Sequence, residues 1–149
     1  MCINKSSDNK IGSVIGSVNK DEKLGHAYQD TKYGLVGKLD KIDEQKYLKV
    51  KTATRYNVKK GKANILTRME EEQLKSFDVE ITDIDYFNEN MNIQIKITDE
   101  ELIDKTGGII QGMSGTPLMQ NDKLIGVLNY VKADDSKCAY AIFVDKLIK

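Results

Sequence analysis

Apolar and polar residues alternate with a period of two through much of the chain. Phe77, Val79 and Ile81 alternate with Asp78, Glu80 and Thr82, and Ile93, Ile95 and Ile97 alternate with Asn92, Gln94 and Lys96. Leu48, Val50, Thr52 and Thr54 alternate in the same way with Lys49, Lys51 and Ala53. Successive side chains of a strand point to opposite faces, so each segment predicts a half-buried strand. Apolar runs at 11–18, 35–39, 63–69, 124–131 and 139–144 predict further strands. Asn121-Asp122, between PLMQ and KLIGV, predicts a two-residue hairpin turn. Helical signals are few. Residues 69–76 fit either a short helix or a charged hairpin tip, and 99–105 predict one short helix, with Thr98 and Glu101 at capping-box spacing. Many short strands and one helix imply a mainly all-β fold. A barrel is favoured over a sandwich, because closure removes exposed strand edges.

Composition narrows the function. The chain has 149 residues and a mass of 16.8 kDa, enough for one domain with its own core. Residues 1–10 are polar and expected to fray, which leaves 11–149 as a single domain. Lys+Arg and Asp+Glu both number 23, so no basic excess exists to grip a polyanion, and nucleic acid is not an expected partner. No apolar run is long enough to predict a membrane span. Two cysteines, Cys2 and Cys138, make neither a disulfide framework nor a CxxC zinc site, and one histidine makes no metal centre. No metal and no cofactor are therefore expected, and any imidazole chemistry must run through His26.

The segment richest in chemistry is 107–117, GGIIQGMSGTP. Glycines flanking Ser114 free the backbone to turn tightly and aim its amides into one concavity. That geometry suits an oxyanion hole made from the amides of Gly112 and Ser114. His26 supplies a base. The aspartates upstream of the serine include Asp30, Asp78, Asp83, Asp85, Asp99 and Asp104. Each element also has a plain structural role: a glycine-rich turn, a surface histidine, an aspartate at a helix start where the dipole favours an anion. Together, a histidine, an aspartate and a G-x-S-G serine follow the chain order of the chymotrypsin-type triad.

Leu24-Gly25-His26, the segment ITDEELI at 97–103 and the segment TGGIIQGMSGTP at 106–117 resemble the stage IV sporulation protein B family of serine peptidases. The segments GKANILT at 61–67 and FDVEI at 77–81 are similar to family strands. The resemblance implies a chymotrypsin-like two-barrel fold with one short helix before the serine motif. It implies Ser114 as nucleophile, His26 as base and Asp99 as acid. Asp30, four positions after His26, is the alternative acid. The implied activity is that of an endopeptidase that cuts a protein substrate at a membrane surface in a sporulation signalling pathway and also processes itself. The implied place is the space between mother cell and forespore. A specificity pocket is expected near 106–111 and 128–132. Departures from the family pattern are Thr116 in place of serine, a shorter stretch between His26 and Gly61, and no PDZ domain or membrane-targeting segment in this chain. Two rival classes remain: an inactive protease-like barrel that binds peptides or a partner protein, and a purely structural β domain.

Overall fold

The computed structural model describes residues 2–7, 10–16, 23–40, 47–69 and 73–148. The N-terminal strands are β1 (Cys2–Asn4), β2 (Ser13–Ile15), β3 (Gly25–Thr31) and β4 (Gly34–Leu39). A short strand β5 (Lys51–Thr52) precedes β6 (Gly61–Arg68), β7 (Leu74–Ile84) and β8 (Ile93–Ile97). The helix α1 (Glu100–Thr106) leads to β9 (Pro117–Gln120), β10 (Lys123–Lys132) and β11 (Asp135–Phe143).

Six of these strands close on themselves. β6 pairs with β7, β7 with β8, β8 with β11, β11 with β10, β10 with β9 and β9 with β6, every pair antiparallel. This is a chymotrypsin-like barrel. Alternation of side chains fills it: Phe77, Val79 and Ile81 on β7, Ile93, Ile95 and Ile97 on β8, and Ala139, Ala141 and Phe143 on β11 are all buried. The polar residues between them on β7, Asp78 and Glu80, are exposed, as the period-two pattern predicts. Closure demands a close approach at Gly126, where a Cβ would lie 2.4 Å from the Ile142 carbonyl oxygen. Asn121 and Asp122 take left-handed φ of 51° and 58° and join Gln120 to Lys123, which makes the predicted hairpin turn.

The fold bears on four expectations. Arg68 pairs with Leu74, where β7 begins, so the strands that flank 70–72 form a hairpin, one of the two readings of 69–76; 70–72 themselves lie outside the described residues. Only Lys51–Thr52 of the segment 48–54 pairs as a strand, on the edge of β10, which leaves Leu48 and Val50 exposed. Residues 2–4, within the segment expected to fray, pair with β2, and Ser6 N–H donates to the Thr106 carbonyl at 2.7 Å. Those backbone bonds are to partners distant in sequence, which composition cannot reveal. Finally, one barrel closes among the described residues. The N-terminal strands form two separate two-stranded sheets, β1–β2 and β3–β4, because so few short strands cannot complete a second cylinder. No helix among the described residues is long and apolar enough to cross a membrane.

Ile95 sits fully buried in the middle of β8, with neighbours β7 and β11 on either side. Ile95→Ala is expected to cost about 2–5 kcal/mol, the range for opening a cavity in a packed core. Urea denaturation checks this; a change below about 1 kcal/mol would mean the barrel interior repacks freely.

Candidate active site

The serine turn is built from the helix outward. Asp99 is the N-cap of α1, one residue later than the capping-box spacing of Thr98 suggests, and its Oδ1 accepts the Leu102 N–H at 3.0 Å. Asp99 wins this position because its carboxylate also answers the helix dipole. Lys105 beside Glu101, with Lys75 reaching across from β7, holds the Glu101 carboxyl below its ordinary range and ties the helix to the barrel. Gly107 ends the helix in the left-handed region at φ 72°. Ile109, Ile110 and Met113 then bury their side chains and peg the segment to the core.

Between those pegs the turn is rigidly bonded. Met113 N–H donates to the Ile110 carbonyl and Thr116 N–H to the Met113 carbonyl, both at 3.1 Å. Gly115 N–H donates to the Leu128 carbonyl at 2.7 Å, and Leu128 N–H returns a bond to the Thr116 carbonyl at 2.9 Å. Of the amides from Gly112 to Thr116, two are left over. Gly112 N–H and Ser114 N–H have no acceptor among the described residues. Gly112 has a φ of 101°, a conformation other residues rarely take. The Ser114 side chain is exposed, and its hydroxyl lies 3.4 Å from the Asn129 carbonyl. Two clefts meet at this serine. One, of about 220 Å³, is lined by Ile109–Met113 and Leu128–Val131. Its lining overlaps the segments 106–111 and 128–132 at Ile109–Gln111 and Leu128–Val131. The other, of about 440 Å³, is lined by apolar residues that include Leu48, Leu66, Leu74 and Leu124.

His26 lies on β3, opposite Lys38 of β4. Its Nδ1 is 3.1 Å from Asp40 Oδ1, with both side chains about half exposed. Such a contact on Nδ1 leaves Nε2 as the nitrogen free for proton transfer. The sequence reading passed over Asp40. It also satisfies the His-Asp-Ser chain order, and its position just after the strand that pairs with β3 was the available signal. Asp30 shares the extended strand β3 with His26, so it sits about 13 Å along the chain by strand rise. Asp83 is paired with Lys60, and Asp85 accepts the amides of Phe87 and Asn88.

The structure does not join the three expected triad members by hydrogen bonds. Asp99 uses both oxygens elsewhere: beyond the Leu102 amide, its Oδ2 accepts the Asp78 N–H at 3.2 Å. His26 is bonded to Asp40 and Ser114 to Asn129. Asp99 therefore carries a structural load whatever else it does. Asp99→Ala, which removes both acceptors, is expected to cost about 1–2 kcal/mol, and Asp99→Asn, which keeps the cap oxygen, less than about 1 kcal/mol. Thermal denaturation of the two variants side by side checks the order; equal losses would mean the cap contributes nothing.

No curated protein and no solved structure matches the chain. The family model of the SpoIVB peptidase S55 matches residues 1–148. A closed antiparallel barrel carrying an exposed serine on a glycine turn agrees with that match. The chain belongs to the SpoIVB peptidase S55 family and is a serine peptidase, a hydrolase whose substrates are proteins.

Proposed function

We propose that the chain cleaves peptide bonds by acyl transfer through Ser114, with His26 as base and the amides of Gly112 and Ser114 as oxyanion hole. The observation that carries this reading is the pattern of amides in the serine turn. Met113, Gly115 and Thr116 spend their N–H groups within the chain, while Gly112 and Ser114 do not. Both residues are exposed, so these two donors, two residues apart beside a serine, stand open to an incoming substrate carbonyl and suit a developing negative charge. Each such donor is worth about 3–4 kcal/mol in the transition state.

In this reading His26 Nε2 takes the Ser114 proton as the hydroxyl attacks the scissile carbonyl, then returns it to the leaving amine. Water, activated by the same nitrogen, releases the acyl group. An unassisted serine hydroxyl is too weak a nucleophile at neutral pH, which is why the base is needed. For the two side chains to work together, the β3–β4 hairpin must bring His26 to Ser114 when substrate is bound.

Asp99 is the acid that the family resemblance implies. To serve, it must exchange an amide for the imidazole, and catalytic contacts do tighten on substrate binding. The 3.1 Å contact of His26 favours a second reading, in which Asp40 is the acid. By the same resemblance we place the reaction in a sporulation signalling step, on a protein substrate associated with a membrane surface, outside the mother cell membrane, with self-cleavage as a second activity.

Fluorophosphonate labelling tests the nucleophile without knowledge of the substrate. Wild type is expected to label on Ser114 and Ser114→Ala to lose labelling, peptide cleavage and self-processing, with its melting temperature little changed. An unlabelled wild type would favour the peptide-binding barrel. Among the acids, Asp99→Asn is expected to lower kcat about 10⁴-fold, because the amide favours the wrong imidazole tautomer. Asp30→Asn is expected to stay near wild type. If Asp40→Asn collapses turnover while Asp99→Asn retains it, the role passes to Asp40.

A further inference from the structure

The serine turn divides two clefts, and the amides assign a side to each. Gly112 and Met113 line the smaller cleft and not the larger one, whereas Ser114 lines both. A scissile carbonyl whose oxygen meets the Gly112 amide places the residue before the cut over the smaller cleft. The chain after the cut then runs across Gly115, Thr116 and Pro117, which form the near wall of the larger cleft. The far wall holds Leu48, Val50 and Leu74, all exposed: 67%, 38% and 46% of their surfaces face solvent. Apolar side chains left open to water beside a nucleophile bury their surface when a substrate arrives.

The β5 segment explains why this wall stands open. Residues 48–54 carry a strand pattern, yet only Lys51–Thr52 pairs, so among the described residues no strand or helix covers Leu48 and Val50. Leu74 is the first residue of β7, opposite Arg68 across the hairpin, and it points its side chain into the same opening. At about 440 Å³ the cleft has room for a branched aliphatic or aromatic side chain.

From this arrangement we infer that the cleft between the serine turn and Leu48, Val50 and Leu74 is a leaving-group-side subsite for a large apolar residue. Substrates are protein segments with an aliphatic or aromatic residue within three positions after the cut. The inference rests on Ser114 being the nucleophile, as proposed above. It adds a selectivity beyond the expected pocket at 106–111 and 128–132.

The test uses the full chain and a quenched fluorogenic peptide library randomised at three positions on each side of the scissile bond. Wild type is expected to prefer leucine, isoleucine or phenylalanine over aspartate at one leaving-side position by about tenfold or more in kcat/KM, the scale of a filled apolar pocket. Leu48→Glu and Leu74→Glu, chosen because both side chains are already exposed, are expected to bring that ratio close to one. Phe87→Glu, which lines neither cleft and is 96% exposed, serves as the surface-charge control and is expected to keep the wild-type ratio. Labelling of wild-type Ser114 with a flat leaving-side profile overturns the subsite and leaves the peptidase reading intact. So does a preference that survives both glutamate variants. Failure of wild type to label or cleave overturns the peptidase reading and the subsite with it.

Discussion

The two backbone bonds between the serine turn and Leu128 are the constraint on which the site depends. Gly115 N–H and the Thr116 carbonyl are fixed at 2.7 and 2.9 Å to a residue of β10, which is itself locked between β9 and β11. A loop on a closed barrel has no strand edge beside it to fray from. The turn therefore inherits the rigidity of six mutually paired strands. With Met113 pegged in the core and its amide spent on Ile110, the choice of which N–H groups face outward is made by the fold. Those left over are at Gly112 and Ser114.

The histidine is held quite differently. His26 stands on a two-stranded sheet whose residues between Ala27 and Gln29 shift register and whose side chains are mostly exposed. A two-stranded ribbon has little stability of its own. Its described ties to the rest of the chain include the ion pair between Lys32 and Glu89 and the stacking of Lys146 over Tyr33. Surface ion pairs of this kind contribute about 0–1 kcal/mol each. A serine turn fixed to the barrel thus contrasts with a histidine on a lightly held arm. In such a design, substrate binding has more influence over the position of the imidazole than over that of the serine.

Asp99 shows why chemistry and architecture compete for the same residue. A carboxylate at a helix N-cap is stabilised by amides and by the dipole, and those same bonds occupy the lone pairs that an imidazole would need. The family pattern around ITDEELI marks the residue, and the fold gives it two backbone partners. Asp40 lacks any such pattern and is found only because the β3–β4 register brings it back beside His26.

Local rules were enough wherever one face of a strand had to be buried. The alternations at Phe77–Ile81 and Ile93–Ile97, the Asn121-Asp122 turn and the short helix before the serine all follow from side-chain period and turn chemistry within a few residues. The glycine-serine motif and the single histidine likewise stand out as candidates from residue type alone. Partners were another matter. The tie between the N-terminal segment and Thr106, the bond from Asp78 to the second carboxylate oxygen of Asp99 and the contact of Asp40 with His26 join residues well separated along the chain. A sequence determines which groups want a partner. Which group arrives is decided by strand register and barrel closure, since those alone bring distant donors and acceptors within bonding distance.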